Sequence, residues 1–167
     1  MRIIQLFFMP ILLLEVFPGL TIAQSDATPC CAIMQFQTFN LDEVAIQLVS
    51  VKRTGPSDIT VTWQVLNRSK TPQKFAKMSG WAGYQLVWDA EVLDLASRTR
   101  YRVASDEKTR TPVAAKYEPP RASQGLTLDA GRTLSVWAKF LVPANVTKVT
   151  VTLPGASQPW ENVAITQ

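Results

Sequence analysis

Residues Leu126–Leu153 read LTLDAGRTLSVWAKFLVPANVTKVTVTL. Leu134, Val136, Ala138 and Phe140 alternate with Thr133, Ser135, Trp137 and Lys139. Val149, Val151 and Leu153 alternate with Lys148, Thr150 and Thr152. Successive side chains of a strand point to opposite faces, so a period of two gives each segment one apolar and one polar face. The stretch therefore predicts a turn, a strand, a short loop and a second strand. Two such strands need further strands to bury their apolar faces.

Those strands lie upstream. Glu43 to Lys52 carries Val44, Ile46 and Leu48 on one face and Ala45, Gln47, Val49 and Val51 on the other. The apolar side switches near Leu48–Val49, which predicts a bulge or a twist. Gly55-Pro56-Ser57-Asp58 reads as a turn. Ile59 to Leu66 follows, with Ile59, Val61, Trp63 and Val65 inward, and residues 67–72 form a second turn-rich connection. Tyr84 to Trp88, Glu91 to Leu95 and Tyr101 to Ala104 read as strands, and Arg98-Thr99 as a turn. Ser105 to Ser123 reads as a long polar loop crossed by a short strand at Val113 to Ala115, and Asn162 to Ile165 as a terminal strand. Short strands at close spacing, 11 prolines and no helical period after the first residues argue for an all-β domain. Two stacked antiparallel sheets would bury it, with a small β-barrel as the alternative. The expected inward row is completed by Leu93, Leu95, Val103, Leu134, Val136, Ala138, Phe140, Val149, Val151 and Leu153. At about 1.5–3 kcal/mol for each large apolar side chain, that core needs no disulfides.

Residues 1–23 stand apart from this domain. A positive start, an apolar run from Ile3 to Leu14, Pro18-Gly19 and small residues at Thr21 and Ala23 predict a secretory signal peptide cleaved after Ala23. Retention as an anchor is the alternative. Glu15 and Pro18 break the apolar run short of the roughly 20 residues that a span requires, so no transmembrane span is expected after cleavage. Residues 24–42 read as a leader or tether, with a loosely docked strand at Ala32 to Thr38, ahead of the domain at 43–167. The leader carries both cysteines, Cys30 and Cys31. Adjacent residues make a strained disulfide, which leaves a vicinal bridge, an intermolecular bridge or two free thiols.

Composition limits the chemistry. The 167-residue chain contains no histidine, which removes Ser-His-Asp and Cys-His catalysis. Two adjacent cysteines cannot complete a tetrahedral metal site, no spaced-aspartate calcium loop occurs and no glycine-rich phosphate loop occurs. No metal and no cofactor is expected. Asp89 and Glu91 would share a strand face, but exposed strand-end carboxylates are far commoner than an acid-base pair. Net charge is +4, with Lys or Arg at 98, 100, 102, 108, 110, 116 and 121. That scatter reads first as a solvated surface and second as a site for an anionic surface such as lipid headgroups or wall polymer. No stacking aromatics interleave with it, so nucleic acid is not expected. The better functional lead is aromatic. Trp81 and Trp88 crowd one loop and strand start, Trp137 faces outward, and Trp160 caps the last turn; these four form the candidate partner surface. Asn67-Arg68-Ser69 and Asn145-Val146-Thr147 match the glycosylation pattern.

Three runs carry a resemblance: VKRTGPSDITVTWQVLNRS, EVLDLASRTRYRV and LTLDAGRTLSVWAKFLVPANVTKVTVTLPGASQPWENVAI. Their L–x–x–G turn, L–x–V–W–A–x–F strand and V–x–V–x–L–P strand with an aromatic-acidic tail resemble the bacterial extracytoplasmic immunoglobulin-like (telokin-like) domains of unknown function found on exported proteins. The resemblance spans about Val51 to Ile165. It implies an immunoglobulin-like antiparallel β-sandwich and a periplasmic or extracellular location, and it supplies no site motif. Such modules are expected to carry cysteines in the loop before the L–x–x–G turn; here that loop has none. The expected function is a non-catalytic exported binding or accessory module with a protein or cell-envelope partner. The alternative is a structural or assembly subunit acting through edge-strand pairing.

Overall fold

The structure is a computed structural model that describes residues 43–74, 86–116 and 126–167, together with the backbone of Phe36–Thr38. The expected signal peptide at 1–23, Cys30 and Cys31 of the leader, and Trp81 lie outside the described residues.

Among the described residues the chain forms ten strands: β1 (Phe36–Thr38), β2 (Val44–Gly55), β3 (Asp58–Asn67), β4 (Gln73–Lys74), β5 (Glu91–Asp94), β6 (Thr99–Arg102), β7 (Thr127–Leu128), β8 (Thr133–Leu141), β9 (Lys148–Thr152) and β10 (Trp160–Ala164). They assemble into one sheet ordered β1-β2-β3-β8, a second ordered β10-β9-β5-β6 and the small pair β4-β7. All strand pairs are antiparallel. Buried residues of both large sheets form one apolar cluster, consistent with a β-sandwich.

Parity explains most of the core. Ile59, Val61, Trp63 and Val65 of β3 are fully buried, opposite Val136, Ala138 and Phe140 of β8. On β2, pairing slips between Leu48↔Trp63 and Ser50↔Thr62, so Val49 bulges outward and Val51 takes over the inward row. That is the parity switch expected at Leu48–Val49.

The strands β8 and β9 are neighbours in sequence but belong to different sheets. Arg53 at the end of β2 holds the crossing between them. Its guanidinium donates to the carbonyls of Val142 (2.6 Å), Val146 (2.7 Å) and Pro143 (3.1 Å). The turn into β8 is held in the same manner by Asn67, which is buried at the end of β3 and donates to the carbonyls of Leu128 and Asp129. Gly131, at φ +67°, supplies the left-handed residue this turn needs.

Both long sides of the stacked sheets are laced together. On one side Val103 bridges to Phe140, and the Ala104 N–H donates to the Lys139 carbonyl. Val113 to Ala115 then runs along the β8 edge: the Lys139 N–H donates to the Val113 carbonyl and the Ala115 N–H to the Trp137 carbonyl. This is where the sequence placed a short strand. On the other side Thr166 pairs in parallel with Lys52 of β2. The arrangement thus shares edge closure with the barrel alternative while keeping two separate strand orders.

Four expectations are corrected. Leu93 and Leu95 do not face inward: Val92 and Asp94 do, and Leu95 is 55% exposed. Register is the reason, because Val92 lies opposite Val151 of the inward row of β9. Asp94 turns its carboxylate to the hairpin, accepting from the Ala96 N–H and the Ser97 hydroxyl. The Ser97 hydroxyl, followed by the backbone N–H groups, holds this carboxyl below the usual carboxylate range. Val103 and Leu134, although half-buried, pack against the core as expected. Residues 86–89 form a turn rather than a strand, and the β5–β6 turn lies at 95–98. Trp160 opens β10 instead of capping a turn, opposite Val151, and is buried.

Thr150 of β9 is buried, and its hydroxyl has no hydrogen-bond partner. A buried hydroxyl left unpaired is destabilising, while valine has nearly the same shape. Thr150→Val is expected to stabilise the fold by about 1 kcal/mol. A urea midpoint that stays put or falls would show that the hydroxyl is satisfied in solution.

Candidate functional site

The turn at 86–89 is pinned from beneath. Leu86, Val87 and Ala90 are buried, and the Ala90 N–H donates to the Val87 carbonyl at 3.0 Å. With its neighbours anchored in the core, the turn presents Trp88 and Asp89 at its exposed corner; Trp88 is 43% exposed. The chain then enters β5 at Glu91, whose cross-strand partner is Arg102 of β6.

These residues line a groove of about 390 Å³. Trp88, Asp89, Ala90 and Glu91 come from the turn and β5, Arg102 and Val103 from β6 and its continuation, and Ser105 and Pro112 from a small hairpin. Ser105 and Pro112 bridge each other, and the tip between them is rigidified by Asp106. The Asp106 carboxylate accepts from the Thr109 N–H (2.8 Å), the Thr109 hydroxyl (3.0 Å) and the Lys108 N–H (3.0 Å). Led by the Thr109 N–H, these bonds hold the Asp106 carboxyl below the usual carboxylate range.

The electrostatics are mixed. Arg100 Nε lies 3.4 Å from Glu91 Oε2 in an exposed ion pair. Arg102 faces the same groove and makes no ion pair among the described residues. The groove therefore presents an indole face, a guanidinium, two carboxylates and a hydroxyl. Among the described residues no three His, Cys, Asp or Glu side chains gather as a metal site.

The four tryptophans chosen from the sequence separate. Trp88 walls the groove. Trp137 is 40% exposed but is not among the groove residues; it lies on β8 opposite Thr62. Trp160, 3% exposed, cannot belong to a partner surface: its ring is packed into the core, and its indole N–H has no partner there. Trp81 lies outside the described residues. Asp89 and Glu91, paired in the sequence by spacing alone, both line the groove. Arg102, Ser105 and Pro112 were missed as groove residues because only strand register and the hairpin bring them to Trp88.

The glycosylation pattern at Asn67 is blocked. Its Nδ2 donates to the carbonyls of Thr71, Leu128 and Asp129 at 2.8–3.0 Å, and the residue is 2% exposed. Asn145 is exposed in the β8–β9 crossing. Among the described residues no helix is long and apolar enough to cross a membrane. Comparison with known proteins finds no matching family model, no matching curated protein and no matching solved structure.

Proposed function

We propose that the chain is a non-catalytic exported binding or accessory module with an immunoglobulin-like sandwich fold, and that it contacts a protein or cell-envelope partner through the Trp88 groove. The observation that carries this reading is Trp88 itself, a large apolar ring held 43% exposed on a turn whose neighbours are buried. A core-forming turn has no need of an outward indole, whereas a recognition surface does. The immunoglobulin-like assignment is supported by the strand order, with β2-β3-β8 in one sheet and β10-β9-β5-β6 in the other. The non-catalytic reading draws on the absence of histidine from the chain and on the ion pair that engages Glu91. Export and a periplasmic or extracellular location rest on the signal-like first 23 residues.

Assembly through edge-strand pairing is the weaker reading. The β8 edge is occupied by Val113 to Ala115, and β2 is paired to Thr166. Of the other outer strands, β1, β10 and β6, the last carries arginines, which discourage strand addition.

Capture of cell-envelope fractions by the purified protein tests the proposal. Trp88→Ala is expected to reduce capture about tenfold or more with an unchanged unfolding midpoint, since truncating a central aromatic anchor typically costs 2 kcal/mol or more. Trp137→Ala is expected to leave capture unchanged. Equal capture by wild type and Trp88→Ala would overturn the assignment of the groove.

A further inference from the structure

The groove opens onto β6, where alternate residues are arginines. Arg100 and Arg102 share one face of the strand, about 6.6–7 Å apart along it. Arg98 stands in the turn that feeds the strand. The Arg100 side chain is 60% exposed and meets Glu91 only in a long ion pair. Arg102 lines the groove itself, together with Trp88, Asp89 and Ser105.

We propose that β6 and the groove form one binding track for an acidic polysaccharide. This rests on the binding-module reading above and names the ligand class of the same site. Glu91 is held in its ion pair with Arg100, and five other groups of the track have a role in that chemistry. The guanidiniums of Arg100 and Arg102 meet acid groups along the glycan, as a planar five-donor cation suits carboxylate or sulfate oxygens. The Trp88 ring offers a flat apolar surface to the C–H face of a sugar. The Asp89 carboxylate and the Ser105 hydroxyl accept from sugar hydroxyls. Asp89 is what favours a polysaccharide over a phosphate-dense polymer. A carboxylate in the track repels a continuous row of phosphates but is a strong acceptor for the hydroxyls between the acid groups of a glycan. The net charge of +4 favours approach of such a polymer.

Affinity electrophoresis of the purified full chain tests this, with polygalacturonate as the acidic probe, dextran as the uncharged control and phosphatidylglycerol vesicles in parallel sedimentation. The expected result is retardation by polygalacturonate, none by dextran, and weakening as salt rises. Arg100→Gln with Arg102→Gln is expected to weaken retardation at least tenfold. Lys70→Gln with Lys74→Gln removes the same charge from exposed positions outside the track and is expected to leave it unchanged. Trp88→Ala is expected to weaken it about tenfold or more without altering its salt dependence. Unchanged urea midpoints confirm that the variants fold. Equal weakening by the arginine and lysine pairs would overturn the proposal, because net charge alone would then account for binding. Binding to vesicles but not to polygalacturonate would also overturn it. If polygalacturonate fails while capture of envelope fractions still depends on Trp88, the ligand class falls and the binding module stands.

Discussion

Trp63→Ala is expected to lower the unfolding free energy by about 3–5 kcal/mol, a large part of what a domain of this size possesses. Trp63 is the largest fully buried side chain among the described residues, and it sits on β3, which pairs with β2 on one side and β8 on the other. Its cross-strand partners are Leu48 and Val136, both buried. Truncation removes the transfer free energy of the indole and leaves a cavity that a hydrogen-bonded central strand cannot collapse to fill. The urea midpoint should fall sharply with little change in slope. Trp63→Phe should recover most of the loss. An alanine variant less than 1 kcal/mol weaker would mean that the two sheets do not close on this residue.

The second large effect is polar. Asn67 joins two loops and the end of β3 through one amide. Its Nδ2 donates to the carbonyls of Thr71, Leu128 and Asp129, and its Oδ1 accepts from the N–H and the hydroxyl of Ser69. Replacement by alanine takes this partner from the Leu128 and Asp129 carbonyls and the Ser69 N–H, while the Ser69 hydroxyl keeps the Thr71 carbonyl; the cost is about 1–3 kcal/mol for each group that water cannot reach. A total loss of about 3 kcal/mol is expected once the loops relax. Asn67→Asp is the sharper test. It keeps the shape and the acceptor but points an anionic oxygen at three carbonyls, so it should be less stable than the alanine variant. Paired urea titrations check the order Asn, Ala, Asp. An aspartate variant as stable as wild type would contradict the donor assignment at Nδ2.

Asn67 also shows the limit of local reading. The triplet Asn67-Arg68-Ser69 matches a glycosylation pattern, yet Ser69 is there to bond the Asn67 side chain. Nothing within the triplet reveals this, because two of the carbonyls that consume the amide belong to residues 61 and 62 positions away. The β5 segment fails for a related reason. In Glu91-Val92-Leu93-Asp94-Leu95, parity favours Leu93 and Leu95, with two apolar side chains against one. Pairing with β9 selects Val92 instead, and Asp94 is consumed by its own turn. By contrast, the bulge in β2 was legible, since the apolar row itself changes parity at Leu48–Val49 and must do so wherever the chain goes.

Of the groove, Trp88, Asp89 and Glu91 were visible as an aromatic and a carboxylate pair; their meeting with Arg102, Ser105 and Pro112 was not. Arg102 reaches them through the register Glu91↔Arg102, and Pro112 through a hairpin closed at Ser105.

The sequence by itself determined the all-β class, most strand positions and the inward rows of β3, β8 and β9. These follow from a two-residue period imposed by local backbone geometry. Only the tertiary structure decided that β8 and β9, joined by a short loop in Leu126–Leu153, belong to opposite sheets. It also decided that Trp88 faces solvent while Trp160 is buried. Those outcomes depend on partners far along the chain, and neither a residue's type nor its neighbours encode which long-range contact will cover it.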